Sequence, residues 1–518
     1  MKGRQTTAAI VALAFAFSLA TTHLHAFALI GPFADWMDVT NDFRQPGDIG
    51  GPMDISEAYR WNVPVVTYGF DQSFLDYFGS NGVKAVEAAI QIINDLPPVS
   101  LLTLTNYPTG SEQINYAANA EGLWDLKSAT LAALIEQLGL AQPTRYICSV
   151  RQWDDSLKAF IFPDSGGPPW PEGTVVERNF DPVTLQPSYN VNGTRYAAYI
   201  GYWGPGTSGV PSFVRTFPFA VDPLDSSWTA VADANFIFFS YLSTGTFCTG
   251  LTYDDVGGLK FLLATNNLRV ESLLPDIHSA LSNTEIVRTA TRPGLNKITF
   301  LRNPVDSTTG NFLSFTNDFF DSYYLNGVVA TQAVERVTQQ PDFLFSAGDI
   351  GILSDQVAIT RTGTSNWLNN STLNGGTNEP GPGVIAPQVR ITFHKIGSIV
   401  SSGEPSSSTA SAQLFNFQWG SFDQSTNVPV AYPSFDPGSR VPLVVRLRLA
   451  SGFAGGRGPN VILSQTWQLP VTIGGTAQLQ IATDLTNWVS IMTVTNNGAV
   501  VQWYHSRSSS QRFFRIIQ

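Results

Sequence analysis

Histidine and cysteine are nearly missing from this chain. Its 518 residues include five histidines and two cysteines, and only 13% of residues are charged. Zinc hydrolysis by the H-E-x-x-H pattern needs two histidines one helical turn apart and a glutamate base between them. No histidine here has another four residues on, and His278, His394 and His505 lie more than 100 residues apart. The G-x-S-x-G nucleophile elbow, the G-x-x-x-x-G-K phosphate loop and the D-x-[DN]-x-[DN]-G calcium loop are absent as well. No apolar run after the first 20 residues reaches the roughly 20 residues of a membrane-spanning helix. The common hydrolytic centres are therefore excluded, and no cofactor and no metal site is expected.

Lys2 and Arg4 precede an apolar run from Ala8 to Ala20, and Ala26-Phe27-Ala28 supplies a small-x-small triplet. This is the pattern of an export leader, expected over residues 1–28 with the cut after Ala28; a cut after Ala26 is the alternative. His23 and His25 would leave with it. The mature protein is then secreted, extracellular or periplasmic, released or held at the cell surface by noncovalent contacts. In an oxidising compartment Cys148 and Cys248 are expected to form one disulfide, closing a long loop. The formal charge is −11, or −13 without Lys2 and Arg4, which removes any global attraction for nucleic acid or anionic membrane.

Glycine, proline, aromatic and hydroxyl or amide residues fill the place of charge, which favours strands and turns. A strand is expected over 62–70, ahead of a helix capped by Asn81, with Val83, Val86, Ile90 and Ile93 at helical spacing. A second helix is expected over 126–138 between Asp125 and Gly139, then a strand at 145–148, and a third helix over 255–265. From Asn296 onward strands dominate, at 297–301, 389–393, 441–449 and 471–482. The expected architecture is a β-rich α+β fold. It comprises an N-terminal mixed α/β domain over 29–295, a strand-rich region over 296–400, a Ser-rich linker over 401–412 and a β region over 413–518. The last includes a small β-sandwich-like domain at 464–518.

Three resemblances accompany this pattern. Ala482-Thr483-Asp484-Leu485-Thr486-Asn487-Trp488 and Arg512-Phe513-Phe514-Arg515 resemble the S-T-D-L-x-N-W turn and R-F-Y-R strand of a small β domain that ends many large secreted bacterial proteins. It covers about 55 residues, departs at Ala482 and Phe514, and implies a structural or docking appendage. The stretches 61–96, 125–145 and 292–300 resemble uncharacterised secreted bacterial proteins and imply no activity. The stretch Val65 to Ile93, together with Leu251-Thr252-Tyr253-Asp254-Asp255-Val256-Gly257-Gly258-Leu259, resembles matrixin-type metalloproteases locally. Without the zinc motif, that likeness implies a catalytically dead relative.

Chemical candidates are few. Asp164-Ser165-Gly166-Gly167-Pro168 resembles the chymotrypsin-like nucleophile segment, but no mature histidine precedes it, and a Pro/Gly turn explains it. Asp154-Asp155 beside Trp153 and Asp254-Asp255 beside Tyr253 are the weak carboxylate candidates for glycoside cleavage. Neighbouring residues on a strand point to opposite faces, so neither pair alone makes a dyad. A solvated turn accounts for the first pair and a helix start for the second. Trp153, Trp170, Trp203 and Trp367 are candidates for stacking on sugars or a partner, with core plugging as the plainer role. Asn192, Asn369 and Asn370 head N-glycosylation sequons. The expectation is a non-catalytic extracellular or envelope-associated binding or structural protein whose partner is a glycan or surface protein. The alternative is a secreted hydrolase whose carboxylates or serine converge only in the fold. Ligand and oligomeric state are not encoded legibly.

Overall fold

The computed structural model describes residues 25–38, 41–44, 47–150, 175–203, 213–225, 230–235, 243–281, 284–348, 359–369, 383–394, 398–402, 412–416, 418–432, 443–451, 460–469, 476–482, 486–495, 500–506 and 513–517. Its centre is a five-stranded sheet ordered Thr299–Arg302, Val65–Phe70, Phe343–Gly348, Val389–His394 and Ile359–Arg361. The first four strands are parallel and the last, at the edge, is antiparallel. Val65–Phe70 reads as an apolar run because parallel strands are covered on both faces, and five of its six residues are buried. It pairs with residues 299–302 on one side and 343–345 on the other, so one sheet spans the domain boundary expected at 295/296.

Helix α1, Gln72–Asn94, leaves this strand directly. Asp71 caps it by accepting the Phe74 N–H. Gly79, at φ +58°, breaks the helix internally. A start at Asn81 is therefore corrected to Gln72, although a second helical stretch does begin just beyond Gly79. Val83, Val86, Ile90 and Ile93 are buried as their spacing requires, and Phe74 and Phe78 stack towards Phe345 and Phe393 of the sheet. Helix α2 is the short Tyr116–Glu121. Helix α3, Leu126–Gln137, starts from Asp125, whose side chain accepts the Ser128 N–H, and eleven of its twelve residues are buried. A helix enclosed on nearly every side has no solvent face, so its polar residues Ser128, Thr130, Glu136 and Gln137 are buried with the rest. Helix α4, Tyr253–Leu263, packs on the strand Phe27–Gly31.

Phe27–Gly31 is buried at all five residues and pairs with Gly51–Pro52, Leu140–Ala141 and Asn179–Phe180. Phe27 and Ala28, assigned to the leader from sequence, are thus part of the core, and His25 is packed beside them; residues 1–24 lie outside the described residues. The strand expected at 145–148 is corrected to turn and bend, with a two-residue strand following at Ser149–Val150. An eleven-residue hairpin, Phe315–Leu325 with Val328–Thr338, turns at Asn326 and Gly327, both at positive φ, as a two-residue hairpin turn requires.

Ser398–Ser402 pairs with Ala412–Asn416, so the ends of the expected linker are strand; residues 403–411 lie outside the described residues. Gln418–Ser421 returns to the centre and pairs in parallel with Leu123–Asp125. There Trp419 is fully buried, and its Nε1 donates to the His394 carbonyl at 2.7 Å. The C-terminal strands form two three-stranded sheets, 460–469/443–451/500–506 and 489–495/476–482/513–517. In the second, the Arg515 guanidinium lies 4.2 Å from the Trp488 ring centre. The fold is β-rich α+β.

Candidate functional site

Two clusters of buried acids lie beside the strand Phe27–Gly31 and helix α3. The first grows from the start of α4. Thr252-Tyr253-Asp254-Asp255 enters the helix, and Asp255 reaches back so that its Oδ2 accepts the Thr252 N–H at 2.9 Å and the Thr252 hydroxyl at 2.5 Å. The same carboxylate accepts Val231 N–H and Ala232 N–H, each at 3.0 Å. Asp254 accepts Ala26 N–H at 2.9 Å and the N–H of Asn192, while its own N–H donates to Asn192 Oδ1 at 3.0 Å. Nearby, Asp233 accepts Thr144 N–H at 2.9 Å and the Thr144 hydroxyl at 2.5 Å.

Burial pushes Asp233 up to about 7 and Asp254 up to about 6, against the hydrogen bonds that favour their ionised forms. The crevice lined by Phe27, Ala28, Leu140, Ala141, Pro143, Ala232, Asp254 and Asp255 leaves no room even for a water molecule, whereas ligand pockets run to roughly 300–1,000 Å³. Asp254 and Asp255 hold three chain segments, 26, 192 and 231–232, at the start of α4, and Asp233 holds Thr144 to the 231–235 segment.

The second cluster surrounds the end of α3. Glu136 is 2% exposed and forms an ion pair with Arg361 of the edge strand, also 2% exposed. Arg361 Nη2 donates to Gly47 O at 3.1 Å, and Gln142 Nε2 donates to Glu136 Oε1 at 3.2 Å. Alongside, Arg145 clasps Asp48 through both Nη atoms, at 2.5 and 2.9 Å. Burial pushes Glu136 up to about 7, with Arg361 opposing.

The chain returns to Glu136 because Gly139, at φ +117°, turns it sharply, and a Cβ there would lie 2.7 Å from Tyr59 O. The extended zinc-protease pattern H-E-x-x-H-x-x-G-x-x-H can be laid over this stretch by spacing alone, and only its glycine is present. In its register stand Ala132, Ala133, Glu136, Gly139 and Gln142. A search for histidines could not find this stretch; the spacing of Glu136, Gly139 and Gln142 could have.

Asp154, Asp155, Trp153, Trp170 and Ser165 lie outside the described residues. Cys148 and Cys248 are both free thiols, which corrects the expected disulfide. Cys248 is held in the main core by its strand and by its N–H to Ser128 Oγ, whereas Cys148 follows Ile147, which packs in a separate small cluster. Burial pushes Cys148 up to about 11 and Cys248 up to about 12.

His278 lies exposed on the strand Ile277–Ser279, and His394 Nε2 meets Thr360 Oγ1 at 2.9 Å on the sheet. Trp367 is 4% exposed and packs on Tyr59, so it plugs the core. Asn192 is committed to Asp254 and Thr252, which leaves its sequon inaccessible. Among the described residues no group of three or more His, Cys, Asp and Glu could hold a metal ion, and no helix is long and apolar enough to cross a membrane. Comparison with protein-family models, curated proteins and solved structures finds no match to this chain.

Proposed function

We propose that this is a secreted or envelope-associated protein that binds or scaffolds without catalysing, built on a metalloprotease-like helix and return that has lost its metal ligands. The observation carrying this proposal is the side-chain set at the zinc-protease spacing. Methyl groups stand at Ala132 and Ala133, and Glu136 is neutralised by Arg361 and bonded by Gln142. A glutamate opposed by a guanidinium is a poor ligand set for zinc, which prefers imidazole and thiolate. The acids of α4 support the same conclusion, since Asp255 is taken up by main-chain N–H groups and the Thr252 hydroxyl, and Asp254 by Ala26 N–H and Asn192 N–H with His25 against its other oxygen. The C-terminal β appendage supports a docking role, with an extracellular glycan or surface protein as partner.

The experiment has two arms. The intact protein is screened against peptide, ester and glycan substrates, where turnover would overturn the non-catalytic assignment. A variant carrying Ala132→His, Glu136→His, Gln142→His and Arg361→Ser is titrated with zinc while near-ultraviolet circular dichroism follows its folding. One tightly bound zinc per folded chain is expected; a folded variant without affinity for zinc would sink the metalloprotease ancestry.

A further inference from the structure

The same two-residue turn occurs twice in this fold, and the same dipeptide fills it both times. Asn192-Gly193 joins the strands Asn190–Val191 and Thr194–Trp203, and Asn326-Gly327 joins Phe315–Leu325 and Val328–Thr338. Backbone φ is +48° and +90° in the first turn and +51° and +79° in the second, so their shapes nearly coincide. They differ in what holds the asparagine. Asn192 is 4% exposed; its Nδ2 donates to Thr252 Oγ1 at 2.9 Å, and its Oδ1 accepts the Asp254 N–H at 3.0 Å. Asn326 and Gly327 are both exposed, and among the described residues no side-chain hydrogen bond holds Asn326.

We propose that Asn326 is a site of spontaneous deamidation and that Asn192 is protected from it. The Gly327 amide nitrogen attacks the side-chain carbonyl carbon of Asn326. Its proton and the carboxamide nitrogen leave as ammonia, and a five-membered succinimide closes. Water then opens the ring at either carbonyl, leaving an aspartate or an isoaspartate whose main chain runs through Cγ. Glycine carries no Cβ to shield the attacking nitrogen, and Leu325 with Val328 is the last pair of the ladder, so Gly327 lies beyond it. In the first turn the same attack requires the Asn192 carboxamide to leave Thr252 and Asp254 first. Asn81-Gly82, the third such pair among the described residues, lies inside α1 with Gly82 buried. Either product puts a carboxylate at a tip where Leu325, Val328 and Val329 are each more than half exposed. Isoaspartate also lengthens the main chain by one atom where the hairpin is tightest. The reaction needs water alone and stands apart from the binding role.

The test is to incubate the folded full chain at mildly alkaline pH and to follow peptides covering both turns by mass spectrometry, with isoaspartate identified by enzymatic methyl transfer. Conversion at least tenfold faster at Asn326 than at Asn192 is expected, and urea should bring the two rates together. A smaller ratio in the folded chain, or an unmodified Asn326 while both convert in urea, would overturn the proposal. Asn326→Gln, whose extra methylene demands a six-membered ring, should abolish the conversion; ammonia lost from that peptide in the variant would assign the reaction elsewhere.

Discussion

Asp255 and Glu136 are both carboxylates with 2% exposure, yet one is enclosed by main-chain N–H groups and the other by a guanidinium. The partners differ in what they cost. Main-chain donors at a helix start and a turn must be satisfied in any case, so Asp255 fulfils three N–H obligations with one side chain. The Glu136–Arg361 pair exists only because both ions are buried together, and its desolvation cancels much of its attraction. The first arrangement ties distant segments to a helix, and the second fills a place that would otherwise hold an uncompensated charge.

Four measurements press on that contrast. Asp255→Ala strips the acceptor from three N–H groups and the Thr252 hydroxyl, and is expected to destabilise by about 5 kcal/mol in urea unfolding. A loss below about 1 kcal/mol would mean that the bracket is ornamental. Arg361→Met, which leaves Glu136 buried and unpaired, should cost about 3–5 kcal/mol, whereas Arg361→Met with Glu136→Leu should return to within about 1 kcal/mol of the parent. A double variant as damaged as the single one would show that the ions themselves, and not their mutual compensation, hold the region.

The third measurement uses pH. Asp233 has a folded value near 7 against an ordinary 3.8, so the native state binds its proton more tightly than the unfolded chain does. Its contribution is fully present below about pH 4 and is lost as pH rises through about 7. Asp233→Asn keeps an acceptor for Thr144 N–H and should flatten that fall, with the largest gain in urea midpoint at pH 8 and little change at pH 4. The smallest effect is expected at the appendage. Trp488→Ala removes the ring under Arg515 and should cost about 0.5–1 kcal/mol, read as an earlier loss of the C-terminal sheets by hydrogen exchange with the central sheet unchanged.

Much of the helical part was legible because its signals are local. Asp125, Gly139 and the Thr252–Asp255 pair mark helix ends within a few residues, and they do so in the structure. The central sheet was not legible, because Val65–Phe70 pairs with strands more than 200 residues later and nothing local records that register. The expected disulfide followed from the compartment alone, which says nothing about whether two cysteines share a neighbourhood. The expected leader took in Phe27 and Ala28 because Phe27–Gly31 is as apolar as a leader core, and composition cannot tell a buried strand from an export segment. Of the site, the acids of α4 were visible as helix-start residues. Glu136 was missed because the chemistry sought there was histidine, and a lone glutamate in an apolar run carries no local sign that an arginine more than 200 residues later will meet it.

The pairing of Gln418–Ser421 with Leu123–Asp125 has a consequence for biogenesis. The ribosome must deliver Trp419 before the centre can close, and at about 5–20 residues per second that takes roughly 20–80 s. Throughout that interval the strand Leu123–Asp125 waits without its parallel partner.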